Sequence, residues 1–272
     1  MFHGDRSENF TNMLRSLLRR ADIIEPIVDL CLSTENLRKF SSAFTSANYD
    51  KTNNYEYYEQ IGDSTVNKFI VGYMYSRFPQ LRTSDGVNIV ARLKIKYGSK
   101  GQLNQIAEKL GFWPYISTDD DERVKRKKNL LEDVFEAFFG CFEEVLNETI
   151  REMKQQYYQV GYDICYTLLS KIFDELYISI EYEALVDSKT RLKELFDEQR
   201  QRLQQLKYKD DFCFETNMFV SHAFNNKKLL GTGMSHKKKE ARERAADKAL
   251  IALAEQGFVK DVPQQYKNLL KQ

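Results

Sequence analysis

The sequence predicts a mostly α-helical protein that ends in a small α-β-β-β-α unit. Of its 272 residues, 42% are hydrophobic, 4 are proline and 12 are glycine, which favours helices around a sizeable core. Apolar residues recur at helical spacing over most of the chain. After about residue 186 the pattern changes to the alternation that is typical of strands. We therefore expect one domain over residues 1–186 and a second over 187–272.

The first domain is predicted to be a series of amphipathic helices. Leu14, Leu17 and Leu18 share one helical face near the start. A later helix should end at Phe78, because the residue before a proline is disfavoured in the helical region. The stretch 117–128 is so dense in charge that we expect a solvated loop there. Further helical patterns cover 87–95, 102–110, 131–146 and 157–185.

In sequence order, the second domain is predicted to contain a helix, three strands that form one sheet, and a second helix. The Asn225-Asn226 pair is a hairpin turn signal between two alternating runs. Ala241, Ala245 and Ala249 fall on one face of the last helix, where they allow close packing. The predicted elements are a helix at 189–204, strands at 208–214, 218–224 and 227–232, and a helix at 236–256.

Two acidic stretches, far apart in the chain, carry the strongest functional signal. In a helix, Glu56, Glu59 and Asp63 stand at i, i+3 and i+7 and share one face. Asp133 and Glu136 stand at i and i+3 in the second stretch. Apolar residues flank both stretches, so the carboxylates should lie beside a core, where repulsion and desolvation are costly.

A divalent cation would relieve that cost, and we interpret the two helices as facing each other across a site for a hard metal ion. Taken alone, the first three acids would be interpreted as an exposed helix face with solvated carboxylates. The second acidic pair and Gly62 favour the metal site. Glycine inside a helix is about 1 kcal/mol less favourable than alanine, so Gly62 indicates close approach of another backbone.

Charge is distributed unevenly along the chain. Residues 187–272 contain 18 Lys and Arg against 12 Asp and Glu, a net charge of +6, and the remainder contains 23 against 28, a net charge of −5. An acidic front and a basic tail fit a cation-using site joined to a module that binds a polyanion.

The chain has no sequence feature of a secreted or membrane protein. Its four cysteines are widely spaced without a C-x-x-C pair, which predicts a reducing compartment with neither disulfide nor zinc site. No apolar run of about 18 residues occurs, so no membrane span is expected. The first ten residues lack the apolar core of a signal peptide. We expect an intracellular protein, cytoplasmic or nuclear.

These motifs together resemble the ribonuclease III family. The segment YEYYEQIGDS is similar to the family's signature helix, and NLLEDVFEAFFG is similar to its second signature. DSKTRLKELF, GTGMSHKKKEAR and AADKAL resemble successive parts of a double-stranded-RNA-binding domain. The resemblance covers roughly residues 10 to 255. It implies an all-helical ribonuclease III endonuclease domain followed by a double-stranded-RNA-binding domain.

The resemblance also implies a reaction and a set of catalytic residues. It implies a magnesium-dependent endoribonuclease, with Mn²⁺ as a possible substitute, that cuts double-stranded RNA and leaves 5′-phosphate and 3′-hydroxyl ends with short 3′ overhangs. A homodimer is implied, with neither a small-molecule substrate nor a membrane partner. The implied catalytic and metal-binding residues are Glu59, Asp63, Asp133 and Glu136, with Glu56 as an auxiliary metal ligand.

In the C-terminal domain the lysine-rich corner before the last helix matches the family's RNA contacts. Lys237, Lys238, Lys239 and Arg242 are the implied phosphate-binding residues, with Lys237 as an alternate register. Binding would depend on groove shape and phosphate charge, with little readout of sequence. A solvated basic face is the alternative interpretation of the same residues.

Departures from the family pattern leave alternatives open. Gln60 stands where the family usually has an apolar residue at the dimer interface, so the partner is either a second copy or another protein. The segment 208–219 lacks the family's Gly-Pro-x-His pattern, which would weaken or rearrange RNA binding. A catalytically silent RNA-binding component with the same fold is the alternative function. A di-iron helix bundle is disfavoured, because neither acidic helix contains a histidine.

Overall fold

The computed structural model describes residues 1–154 and 159–269, and the chain divides into two compact units, Met1–Ile178 and Ser179–Gln272. The boundary expected at 186/187 therefore lies slightly beyond the division between the units. The reason is Tyr182, whose hydroxyl bonds to Glu194 and whose ring packs on that of Tyr266 at 5.2 Å between centroids. These contacts attach the short helix at 182–185 to the C-terminal unit.

The N-terminal unit is helical, as the apolar spacing predicts. The helix that ends before Pro79 and the helices after it follow the predicted order, with Gly111 at a left-handed φ of 77° after the sixth helix. The helices are α1 (Glu8–Arg20), α2 (Glu25–Cys31), α3 (Thr34–Ala43), α4 (Glu56–Arg77), α5 (Ser84–Tyr97), α6 (Lys100–Lys109), α7 (Asp120–Lys125), α8 (Lys127–Lys154) and α9 (Gly161–Asp174).

Helices α4 and α8 pack against each other more extensively than any other pair of helices that the structure describes. Two glycines allow their backbones to touch. A Cβ atom at Gly62 would lie 1.7 Å from the carbonyl oxygen of Glu136, and one at Gly140 would lie 2.1 Å from the carbonyl oxygen of Tyr58. The close approach predicted at Gly62 is confirmed, and it sets the spacing between the two acidic stretches.

An aromatic core on α8 holds this crossing in place. The ring of Phe138 lies 5.6 Å from that of Phe142, 5.3 Å from that of Phe112 and 6.4 Å from that of Phe44, measured between centroids. All four side chains are fully buried. Burial of each such ring stabilises the fold by roughly 1.5–3 kcal/mol relative to leaving it exposed, so α8 is a rigid support for its acids.

The expectation of a solvated loop at 117–128 was wrong. Residues Asp120–Lys125 form α7, and α8 begins at Lys127. The Asp119 side chain caps α7 by accepting a hydrogen bond of 2.8 Å from the backbone N–H of Glu122. The order of charges, acidic in the first turn and basic in the last, complements the helix dipole. Of the helix predicted at 157–185, residues 157 and 158 lie outside the described residues, and the remainder forms α9 and the short helix at 182–185.

The C-terminal unit has the predicted α-β-β-β-α order. Its sheet is antiparallel in the order β1-β2-β3, and Asn226, at a φ of 52°, makes the turn between β2 and β3. The third strand extends to Ser235, beyond its predicted end, and the long helix begins at Lys238. The elements are α10 (Tyr182–Leu185), α11 (Ser188–Glu198), β1 (Leu206–Cys213), β2 (Met218–Asn225), β3 (Lys228–Ser235), α12 (Lys238–Ala254) and α13 (Gln264–Leu269).

The alanine face of α12 packs directly on β3. A Cβ atom at Gly231 would lie 2.4 Å from the carbonyl oxygen of Ala245, and one at Gly233 would lie 2.2 Å from that of Ala241. Small residues on both elements therefore let helix and strand approach closely, as the alanine spacing predicts. This contact fixes where the first turn of α12 lies relative to the sheet.

Within the part of the chain that the structure describes, all four cysteines are free thiols. In the same ranges no helix is long and apolar enough to span a membrane.

Candidate active site

The five acids predicted from the sequence lie on α4 and α8 at the glycine-lined crossing. Helix α4 carries Glu56 and Glu59 in its first turns and Asp63 next to Gly62. Helix α8 carries Asp133 and Glu136. Glu136 is buried, with 9% of its surface exposed, Glu59 and Asp133 are half-buried, and Glu56 and Asp63 are exposed. The five acids thus extend from the buried contact between α4 and α8 to the surface of the protein.

Electrostatic interactions link carboxylates of the two helices. Burial, followed by the charges of neighbouring acids with Asp63 first among them, raises the pKa of Glu136 to about 8. Burial and then the charge of Asp133 raise the pKa of Glu59 to about 7. Burial also raises the pKa of Asp133. Side chains from residues more than 70 positions apart therefore share one patch of mutually repelling charge.

The donor set suits a hard divalent cation. All the side chains offer carboxylate oxygens, and both burial and like charge disfavour the ionised forms of Glu59 and Glu136, which a bound dication would reverse. Within residues 1–154 and 159–269, no group of three or more His, Cys, Asp or Glu side chains is already arranged so that it could hold a metal ion. The acids fit such an ion by their chemistry and location, and their carboxylates are not preassembled around a point.

Hydrogen bonds orient the acids at the two edges of the patch. The Tyr55 hydroxyl donates to Asp133 at 3.1 Å, and the Asn67 amide donates to Asp63 at 2.6 Å. Tyr55 is buried, and burial together with the charge of Asp133 raises the pKa of its hydroxyl, so it remains a donor. Tyr55 precedes the first acidic run directly, a position that could have drawn attention to it.

Sequence reasoning missed the cations around the patch. Lys100, the first residue of α6, forms an ion pair of 2.5 Å with Glu132. Its charge offsets part of the rise that burial causes in the pKa of Asp133 and of Glu136. Arg126 forms an ion pair of 2.7 Å with Glu122, which is itself buried. Arg126 and Glu122 belong to the stretch expected to be a loop, and no local pattern identifies Lys100.

The four predicted RNA contacts lie at the start of α12. Lys237 is the N-cap residue of that helix, and Lys238 and Lys239 occupy its first turn. All three lysines are exposed, while Arg242 is half-buried and contacts Asp210 of β1. Free backbone N–H groups and the helix dipole at this end favour an anion, so the arrangement can bind phosphate.

Comparison with known proteins identifies the family. The family model described as the ribonuclease III domain matches residues 56–143, which contain all five acids. A protein of invertebrate iridescent virus 6 that bears the name ribonuclease 3 is 41% identical over 278 residues, covering 98% of this chain and 95% of its own length.

Two further relatives bear the same name. That of frog virus 3 (isolate Goorha) is 32% identical over 223 residues and covers 82% of this chain and 57% of its own length. That of Halalkalibacterium halodurans is 26% identical over 238 residues and covers 83% of both chains. The identity to the first relative extends over nearly the entire chain. This chain therefore belongs to the ribonuclease III family of endoribonucleases.

Proposed function

We propose that this protein hydrolyses phosphodiester bonds of double-stranded RNA in a magnesium-dependent reaction, with Mn²⁺ as a possible substitute. The observation that carries the proposal is the crossing of α4 and α8, where backbone contact at Gly62 gathers Glu59, Asp63, Asp133 and Glu136 into one partly buried patch. Such a patch is costly without a cation and chemically suited to one.

Glu59, Asp63, Asp133 and Glu136 would hold the metal, with Glu56 at the exposed margin. Mg²⁺, when bound, stabilises the charge that develops on the phosphate oxygens and lowers the pKa of water. The protein itself holds the carboxylates in position. The aromatic core fixes α8, and Tyr55 orients Asp133.

The acidic patch also imposes an order on the reaction. The ionised carboxylates of the patch repel an RNA backbone, so we expect productive engagement at this site only after their charge has been neutralised. Lys100 is committed to Glu132 and compensates the patch only in part.

We propose that Lys237, Lys238, Lys239 and Arg242 supply the contacts to RNA phosphates. A helix start with three consecutive lysines suits the regularly spaced phosphates of a duplex. Recognition of this kind reads groove shape and backbone charge, so little sequence preference is expected.

We further propose that the active form is a homodimer. Gln60 lies on the exposed side of α4, beside a groove of about 590 Å³ lined by Tyr57, Ile61, Lys68 and Tyr162 among others. A second copy docked there would present two acidic patches to one duplex. Cuts on both strands would then leave 5′-phosphate and 3′-hydroxyl ends with short 3′ overhangs. Light scattering of the full chain, with and without duplex RNA, tests this assembly, and a monomeric mass in both states would contradict it.

The central experiment compares wild type with Glu136→Gln on a long RNA duplex. The matched control is Glu152→Gln, an exposed residue about 24 Å further along α8. We expect Glu136→Gln to reduce cleavage in Mg²⁺ at least ~100-fold while duplex binding in EDTA stays unchanged. We expect Glu152→Gln to cut at the wild-type rate, and EDTA to abolish cutting by every variant.

Two outcomes would contradict the proposal. Undiminished cutting by Glu136→Gln would contradict the proposed metal-binding role of Glu136. Duplex binding by wild type without cleavage in Mg²⁺ or Mn²⁺ would instead support the catalytically silent RNA-binding component.

A further inference from the structure

The lysine-rich corner of the C-terminal unit contains an acid that the RNA-binding role does not explain. We call Lys237, Lys238, Lys239 and Arg242 the basic corner. Asp210 of β1 points into it from the neighbouring strand. The Asp210 side chain is only 11% exposed, although β1 is an edge strand of the sheet.

Two of the four cations are bound to this carboxylate. The Nε of Arg242 donates to both oxygens of Asp210 at 3.0 and 3.1 Å, and a terminal nitrogen of Arg242 also contacts Oδ2. The Nζ of Lys238 lies 3.1 Å from the same oxygen. The Ser221 hydroxyl on β2 donates to Oδ1 at 2.5 Å. These donors, Arg242 first among them, hold the pKa of Asp210 well below its ordinary value, so the carboxylate is ionised at neutral pH.

A second acid reduces the charge of the corner further. Lys237 forms an ion pair of 3.4 Å with Glu240, one turn along α12. Four positive charges therefore face two negative ones, which leaves a net charge of +2. Lys239 is the member of the corner that forms no ion pair with any residue in the described ranges.

Carboxylate and phosphate oxygens use the same guanidinium donors. An arginine engaged by a carboxylate through two nitrogens offers fewer N–H groups to a phosphate. To free Arg242, the protein would have to leave the nearly buried Asp210 without its main partner, which is unfavourable. An RNA phosphate must therefore compete with the Asp210 carboxylate, which is already bound to Arg242.

We propose that Asp210 competes with the RNA backbone for Lys238 and Arg242 and thereby limits the affinity of the basic corner for duplex RNA. This inference rests on the proposed RNA binding by that corner and adds the residue that sets its strength. It implies that stable binding requires contacts beyond the corner itself, so that short polyanions are retained poorly.

The direct test is Asp210→Asn in the full chain, with binding of a 30-base-pair RNA duplex measured in EDTA over a series of KCl concentrations. The matched control is Asp211→Asn, the same charge change one residue along β1, on the exposed face of the strand. We expect Asp210→Asn to bind about 5- to 30-fold tighter at 150 mM KCl, with a salt slope steeper by roughly 1 to 2. We expect Asp211→Asn to change affinity by less than about threefold.

A charge-conserving double variant, Asp210→Asn with Arg242→Gln, distinguishes competition from positioning. If Asp210 competes for Arg242, the double variant should bind at least about fivefold more weakly than Asp210→Asn, because the arginine freed in Asp210→Asn contacts the RNA. If Asp210 instead aims Arg242 at a phosphate, Asp210→Asn should itself lose affinity, and the double variant should bind no more weakly than Asp210→Asn. Thermal unfolding of each variant checks that the C-terminal unit remains folded.

Each outcome decides the matter. Tighter binding confined to Asp210→Asn supports the competition. Equal effects of Asp210→Asn and Asp211→Asn, or equal affinities of Asp210→Asn and the double variant, overturn it and leave the proposed nuclease function intact if wild type still binds and cuts the duplex. Failure of both wild type and Asp210→Asn to bind duplex RNA would overturn the competition and the proposed RNA-binding role together.

Discussion

Substitution of Gly62 by alanine tests directly whether the backbone contact between α4 and α8 builds the site. The added Cβ would lie 1.7 Å from the carbonyl oxygen of Glu136, 2.5 Å from its carbonyl carbon and 2.9 Å from the backbone nitrogen of Gly140. All three atoms are helical backbone, so none of them can rotate aside. Because a Cβ keeps at least 3.0 Å from such atoms, the helices must separate locally by about 1.3 Å (3.0 − 1.7).

Two effects on stability oppose each other in Gly62→Ala. Alanine favours the helix by about 1 kcal/mol. Overpacking of a tight contact costs about 1–3 kcal/mol, and separating two backbones lies at the upper end of that range. We therefore expect a net loss of roughly 1–2 kcal/mol in the free energy of unfolding of the N-terminal unit. A shift of about 1 Å between Glu136 and Asp63 should also lower cleavage about 100-fold.

The assay uses the single tryptophan, and the control variant lies on the same helix as Gly62. Trp113, the single tryptophan, lies in the N-terminal unit, so its fluorescence in urea follows the unfolding of that unit. Gly72 is exposed, and a Cβ there would meet only the Tyr166 ring, at 3.5 Å. We expect Gly72→Ala to stabilise the unit by up to about 1 kcal/mol and to cut normally. If Gly62→Ala matched Gly72→Ala in both stability and activity, the argument from backbone contact would be refuted.

Three further predictions concern charge and burial. Because the pKa of Glu136 is raised from 4.5 to about 8 in the folded protein, the free energy of unfolding in EDTA should fall by up to about 5 kcal/mol as pH rises through that window. Urea unfolding at a series of pH values should show that the free energy of unfolding of Glu136→Gln depends less on pH than that of wild type. An unchanged dependence on pH would contradict the burial argument. Mg²⁺ at 100 times its dissociation constant should stabilise wild type by about 2.7 kcal/mol and Glu136→Gln by much less, which thermal unfolding in a Mg²⁺ series can measure. Arg6 donates to the carbonyl oxygens of Ser41 and Phe44, both at 3.2 Å, so Arg6→Met should cost about 2–4 kcal/mol in urea unfolding. Arg19→Met, which removes an exposed ion pair, should lower the free energy of unfolding by less than about 1 kcal/mol. Equal losses in the two variants would show that the hydrogen bonds of Arg6 do not stabilise the fold more than an exposed ion pair does.

The local elements were predictable where a pattern repeats within a few residues. Apolar spacing placed α4 and α8 and put Glu59 with Asp63, and Asp133 with Glu136, on helix faces. The glycine inside the first acidic helix predicted the backbone contact that the structure contains. The error at 117–128 has a local cause as well, because a capping aspartate with ordered charges outweighed the appearance of a charged loop.

By itself, the sequence determined the family, the order of helices and strands, and which carboxylates share a helix face, since these depend on residue type and short spacing. Only the tertiary structure decided that Glu136 is buried while Asp63 is exposed, and that Lys100 pairs with Glu132. It also decided that Asp210, 32 positions before Arg242, occupies the basic corner. Burial and ion pairing depend on which distant segments meet, and the crossing of backbones sets that geometry without leaving a local pattern in the sequence.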